Sequence, residues 1–295
     1  MTQKIQENNR LMKQASYASV IVALTLILLK GMTFLMTGSV SIMSSLFDSV
    51  QDMMTSLVNM IAIKHATEPA DKQHRFGHGK AQALGGLIQA FIIAIAALGL
   101  FIESCRRFFY PQPITHITLG IIITAFAILM TLILVRFQTV VVQKTQSLSI
   151  KTDRAHYTGD ILMNVGVLVA ILISYYTGWT CLDALFGIGV AVYLGITVYQ
   201  VLKESFSMLM DTEMPAEFRK QIKEITLSFE EVITIHDLKT RQSGSVAFVQ
   251  FCIHLDDTLT LRQAHDITDK IEHQIKKRFP DTSVIIHAEP ERKVL

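Results

Sequence analysis

Six stretches of this chain are too long and too apolar to be ordinary elements of a water-soluble fold. With about 20 apolar residues as the length that crosses a bilayer, they run over 16–37, 39–64, 82–109, 114–137, 156–177 and 180–209. Half of the 295 residues are hydrophobic and only 18% are charged, and the mean hydropathy is +0.38. That balance excludes a single soluble domain of this length. The expected body of the protein is an α-helical membrane domain of six transmembrane helices over residues 1–210.

From Asp211 onward the composition becomes that of a soluble domain, with no long apolar run. The pattern reads helix (216–228), strand (232–240), turn at Gly244, strand (246–255), helix (261–279) and strand (283–288). This αββαβ order suits a small α+β ferredoxin-like domain over residues 211–295. Neither an internal repeat nor a low-complexity tract interrupts the two-part organisation.

Charge sets the expected orientation. The links around 37–39, 110–116 and 177–180 are short and poor in Lys and Arg. The opposite side carries Lys4, Arg10 and Lys13, then Lys64, Lys72, Arg75 and Lys80, then Lys144, Lys151 and Arg154. The positive-inside rule places that basic side, and with it both termini and the tail, in the cytoplasm. Arg106 and Arg107, near the outer end of the third span, run weakly against the trend. The opening MTQKIQENNRLMKQ is polar for too long to be a signal peptide, so the first span is expected to remain as an anchor. A net charge of +2 without any basic run argues against a nucleic-acid partner. Cys105, Cys181 and Cys252 are odd in number and lie outside any CxxC spacing, so they form no disulfide framework.

Within this apolar frame two pairs of ionisable residues stand out: Asp48 and Asp52 in the second span, His156 and Asp160 in the fifth. Each pair is spaced i, i+4 and so shares one helix face. Ser41, Ser45, Ser56 and Asn59 extend the stripe on the second span, and Asn164 extends that on the fifth. A carboxylate near the bilayer centre costs about 2.5 to 3.5 kcal/mol on insertion scales, so three of them need a reason. Helix-gluing hydrogen bonds account for the serines and asparagines. They do not account for carboxylates facing one another, which repel unless a cation or protons intervene. Three oxygens and one nitrogen suit a tetrahedral divalent ion, Zn2+ first, then Cd2+, Fe2+ or Mn2+, and the lack of sulfur argues against Cu(I). Once metal leaves, desolvation and like-charge proximity favour protonation, so metal and protons become alternative occupants of one site. Antiport follows from that exchange.

Rival functions leave distinguishable traces. An intramembrane metalloprotease would need an open coordination position and a general base, as in HExxH, and that motif is absent. A membrane-anchored metal sensor or binding protein would show metal-dependent partner binding without flux. A channel would show downhill flux insensitive to a proton gradient.

The six spans, DxxxD on the second, HxxxD on the fifth, PADKQHRFGHGK between the second and third, and the αββαβ tail together resemble the cation diffusion facilitator family. The resemblance covers essentially the whole chain. It implies a homodimer in a bacterial inner membrane that exports cytoplasmic Zn2+, with Fe2+ and Cd2+ behind, in exchange for protons by alternating access. It implies that Asp48, Asp52, His156 and Asp160 are the transport site. Zn2+ is then both substrate and a structural or regulatory ligand, with no organic cofactor.

A second site implied by the resemblance uses Asp71, His74 and His78 between the second and third spans. Taken alone, the DxxHxxxH spacing suits a shared helix face, whereas Gly77 and Gly79 argue for a loop, solvated and with free histidines as the alternative. A third site lies in the tail. Ala247, Val249, Phe251, Ile253 and Leu255 make one face of a strand, leaving Gln250, Cys252 and His254 on the other. On the last strand Val284, Ile286 and Ala288 leave His287 and Glu289 opposite the core. By resemblance His236, Cys252, His265, His287 and Glu289 hold a two-metal cluster across the dimer. The chain departs from the family pattern twice, with Cys252 in place of a bridging His and Glu289 in place of Asp. A bridging thiolate, a shift of the cluster to His254, or an inert buried thiol remain as alternatives. His65, His116 and His273 read as surface residues, and Cys105 and Cys181 as apolar residues of the spans. The resemblance also pairs Lys80 with Asp211.

Overall fold

The computed structural model describes residues 3–37, 40–110, 117–177 and 182–291. The three links expected on the outer side fall largely outside these residues, as do His116 and Cys181. The described chain divides into two units, one of Glu7–Ser205 and one built mainly from Phe206 onward.

The larger unit is helical: α1 (Gln3–Thr37), α2 (Val40–Ala66), α3 (Ala81–Phe109), α4 (Ile117–Thr145), α5 (Leu148–Thr177) and α6 (Leu182–Leu209). Each expected span maps onto one helix. Hydropathy marks only the apolar stretch, however, and α1, α4 and α5 continue through polar turns that the apolar windows left out. The early start of α5 at Leu148 brings Asp153 into the same helix as His156 and Asp160. By length and composition α1, α3, α4 and α6 contain segments apolar enough to cross a membrane. The other two, α2 and α5, carry the intramembrane ionisable residues.

Besides apolar clusters such as that of Met12, Ile63 and Ile150, this unit departs from a soluble bundle in what it exposes and what it buries. Leu28, Phe91, Ile95, Leu98 and Ile133 lie exposed, whereas Ser49, Asp52, Thr55, Asn59, Gln89, Gln138, Asp153 and His156 are buried. So apolar an exterior, with polar side chains drawn inside, suits surroundings of lipid rather than water. Close approach of α2 and α3 depends on Gly85, where an added Cβ would lie 2.3 Å from the Ala62 methyl. Small residues at such a crossing let two membrane helices meet backbone to backbone.

The second unit contains α7 (Ala216–Leu227), β1 (Thr234–Ser243), β2 (Val246–Leu255), α8 (Leu261–Arg278) and β3 (Thr282–Pro290). The sheet order is β1-β2-β3, with β1 antiparallel and β3 parallel to the central β2. A capping box of Thr260 and Gln263 starts α8, and Lys276, Lys277 and Arg278 end it where its dipole favours positive charge. Ile267, Ile271 and Ile275 recur every fourth residue on the helix and pack with Ile222, Val249, Phe251 and Ile253 into the core.

One irregularity in the sheet sets up the chemistry. From Ser243 back to Lys239 the β1 register pairs Lys239 with Gln250, yet His236 pairs with Cys252 rather than with Ile253. Two residues of β1 therefore oppose one of β2, and Asp237 takes φ 50° at the bulge. Asp tolerates this left-handed backbone. Regular continuation would have put His236 opposite the core residue Ile253. The bulge carries it to the face that bears Cys252.

Candidate metal centres

Within the helical unit, Asp52 on α2 and His156 and Asp160 on α5 bring ligand atoms within 4.8 Å of one another. His156 Nε2 lies 3.1 Å from Asp52 Oδ1 and 4.0 Å from Asp160 Oδ2. All three belong to the expected transport set. Asp48, the fourth, lies outside this set, one turn before Asp52, with its side chain exposed. Asp160 Oδ2 and His156 Nδ1 are buried without a hydrogen-bond partner among the described residues, so this pocket holds more ligand capacity than its own contacts use.

Polar residues that the sequence reading did not single out surround the trio. Asp153 is fully buried and accepts hydrogen bonds from Ser19 Oγ at 2.6 Å and Gln138 Nε2 at 2.7 Å. The Tyr157 hydroxyl meets Ser56 Oγ at 2.8 Å. Lys30 of α1 donates to the Ser45 carbonyl at 3.0 Å and to Ser49 Oγ at 2.7 Å, and its charge is attracted by Asp52, Asp48 and Asp160. A lysine inside the apolar run of the first span was the available signal for this internal cation. Asp153 had its own signal, lying three residues before His156, but the apolar window that began at 156 hid it.

Between α2 and α3 the second candidate is a loop, as Gly77 and Gly79 suggest, and Gly77 adopts φ 80°. Asp71 Oδ1 accepts the backbone N–H groups of His74 at 2.5 Å and Gln73 at 2.8 Å. The His74 N–H, aided by that of Gln73, holds the Asp71 carboxyl below its usual range. His78 Nε2 lies 3.1 Å from His74 Nδ1 and 3.4 Å from Asp71 Oδ2, so the three side chains converge at the surface. His65 stays on the surface, paired with Glu68 at 3.4 Å.

In the second unit, strand register builds a two-row array on the sheet face opposite the core. His236, Cys252 and His287 form one row across β1, β2 and β3, and Thr234, His254 and Glu289 form the next. Glu289 is the hub, with His236 Nε2 at 3.6 Å, His254 Nε2 at 3.3 Å and His287 Nε2 at 3.4 Å. His236, Cys252 and Glu289 bring ligand atoms within 4.8 Å of one another. Partial burial, with the carboxylates of Glu289 and Asp237, pushes the Cys252 thiol above its usual range. His265 is not part of this array within one chain. It lies exposed on α8, which covers the other face of the sheet, and pairs with Asp269 at 3.5 Å. Asp211 accepts a hydrogen bond from Arg241 at 3.3 Å within its own unit.

Residues 16–210 match the cation efflux transmembrane domain family, and residues 214–291 match the cytoplasmic domain of cation efflux proteins. The cation-efflux pump FieF of Escherichia coli (strain SE11) is 40% identical over 285 residues, covering 97% of this chain and 95% of that protein. Among solved structures, the metal-bound C-terminal domain of the CzcD transporter from Thermotoga maritima is 28% identical, covering 28% of this chain and 100% of its own, with a TM-score of 0.26. Both halves of the sequence and a relative matched almost end to end lead to one assignment: this chain is a multi-pass membrane protein of the cation efflux, or cation diffusion facilitator, family, a transporter and not an enzyme.

Proposed function

We propose that this transporter exports divalent metal, Zn2+ first with Fe2+ and Cd2+ behind, from the cytoplasm of a bacterial cell across its inner membrane in exchange for protons. Residues 1–210 form the transport domain. Residues 211–295 form a cytoplasmic metal-binding and dimerisation domain, with both termini on the cytoplasmic side. The reading takes support from one observation above all, the buried meeting of Asp52, His156 and Asp160 between α2 and α5. Two carboxylates and an imidazole form a borderline donor set suited to these ions. Asp48, one turn away, is the fourth ligand.

Charge balance supplies the coupling. Buried carboxylates require a compensating positive charge, because an unpaired ion in a low-dielectric site costs several kcal/mol. Metal supplies it in the loaded state and protons supply it after release, so loading and protonation exclude each other at the same atoms. Asp71, His74 and His78 form a second metal site on the loop. His236, Cys252, His265, His287 and Glu289 form the cytoplasmic cluster of a homodimer, with His265 contributed from outside the single-chain array.

The test is Zn2+ movement into proteoliposomes under an imposed pH gradient. Parent protein should carry zinc as the gradient dissipates, and Asp160→Ala should reduce flux to the level of empty vesicles. Normal gradient-driven flux in Asp160→Ala would remove the site assignment, and zinc flux indifferent to the gradient would remove proton coupling.

A further inference from the structure

We propose that His254 is a metal ligand, forming with His236 and Glu289 a Zn2+-type site contained within the sheet of one subunit. This inference rests on the reading of the cytoplasmic cluster above and changes its membership. The family pattern used in that reading assigns no ligand at position 254.

Spacing is the first argument. A tetrahedral zinc site with bonds of about 2.0 to 2.1 Å has ligand–ligand edges of about 3.3 to 3.4 Å. Glu289 Oε2 stands 3.3 Å from His254 Nε2 and 3.6 Å from His236 Nε2, and the two imidazole centroids are 4.7 Å apart at a 51° tilt. The first contact is a hydrogen bond between His254 and Glu289, and both separations lie close to the edge of a tetrahedral site, so the carboxylate and two imidazoles need shift little to share an ion.

Orientation is the second argument. His254 Nδ1 lies 3.1 Å from the Thr234 hydroxyl, its neighbour across β1 and β2. That partner fixes the ring so that Nε2 is the nitrogen turned to Glu289. A ligating histidine is held in the same manner, one nitrogen on a protein acceptor and the other on the metal. The strand register supplies the rest, because His254 pairs directly with Glu289 while the Asp237 bulge brings His236 onto the same face.

Cys252, whose ligand atom lies within 4.8 Å of those of His236 and Glu289, is placed to be the fourth ligand, so the site comprises His236, His254, Glu289 and Cys252.

The experiment measures equilibrium Zn2+ binding to the purified full-length chain in detergent, carrying Asp160→Ala so that the intramembrane site is disabled. His254→Ala should remove one class of tightly bound zinc or weaken it by at least about 10-fold, the scale of losing a group that orients or completes a site. Thr234→Val should produce a smaller weakening of the same class. Glu289→Gln serves as the reference. If Glu289→Gln loses zinc while His254→Ala binds as the parent does, His254 is not a ligand and the cytoplasmic site itself stands. If neither change alters binding, the sheet holds no metal and both readings fall. His254→Gln guards against a folding defect: it keeps a polar side chain on a face remote from the core and must show the same loss at unchanged circular dichroism.

Discussion

Asp52, His156 and Asp160 meet between two helices, where the His156 side chain is only 4% exposed. His236, His254 and Glu289 meet on an open sheet face, where the two imidazoles keep 43% and 34% of their side-chain surface. The donors are nearly the same, two carboxylates and one imidazole against one carboxylate and two imidazoles. The settings are opposite. Between the helices an empty site leaves charge without water, so a metal, a proton or an internal ammonium such as Lys30 must always be close. On the sheet an empty site is hydrated and costs little. On the reading proposed above, burial rather than ligand chemistry separates a centre that must exchange one cation for another from a centre that can respond to metal concentration.

Paired substitutions put that contrast under the greatest strain. Asp52→Ala removes an oxygen 3.1 Å from His156 and is expected to abolish zinc flux, a loss of at least about 100-fold by the upper scale for disrupted metal sites. Glu289→Gln at the sheet hub should retain flux at saturating zinc and shift only the zinc concentration needed to reach it. Stopped-flow flux measurements over a range of zinc concentrations compare the two. A Glu289→Gln chain that is silent at every concentration would erase the distinction between cargo and responding centres.

Asp237→Val sharpens the comparison from the other side. A β-branched residue resists the left-handed φ of 50° at the bulge, and in the regular register that would replace it His236 stands opposite Ile253, away from Glu289. Zinc binding at the sheet should weaken by at least about 10-fold, with the intramembrane centre untouched and flux preserved at high zinc. A calorimetric Zn2+ titration reads the change. Parent-like affinity in Asp237→Val would mean that the bulge has no part in aiming His236.

This bulge also marks the limit of what was legible in the chain. The alternation of Val249, Phe251 and Ile253 on β2 and of Val284, Ile286 and Ala288 on β3 was plain, because a period of two with β-branched residues has one reading. The six helices were legible for the same kind of reason, as runs of apolar residues at bilayer length. On β1, Ile235 and Leu238 both pack toward the core although three positions separate them, and no propensity at Asp237 announces that break. In the membrane unit, DxxxD and HxxxD pointed to Asp52, His156 and Asp160, but Asp153 and Lys30 escaped. Their roles depend on contacts with Ser19, Gln138 and Ser49 on other helices, and single-helix spacing cannot report contacts between helices.

The loop of Asp71, His74 and His78 lies between the two extremes, solvent-exposed yet ordered by its own backbone, and it offers the smallest expected effect. Asp71 is held below the usual carboxylate range, chiefly by the His74 backbone N–H, so the folded turn binds its proton less readily than the unfolded segment does. The stabilisation is accordingly complete above the ordinary value of about 4 and is lost as pH falls through the lower folded-state value. Protection of the Gln73 and His74 amides, measured against their intrinsic exchange rates, should hold on the neutral side and be lost only in acid, with α2 unaffected. Asp71→Asn should show fast exchange at every pH, because a neutral amide oxygen is a weaker acceptor for the two N–H groups at 2.8 and 2.5 Å. Slow exchange in Asp71→Asn would mean that the turn is held by the His74 carbonyl and Gly77 alone. In that case the carboxylate would be free to serve the neighbouring imidazoles without any cost to the loop.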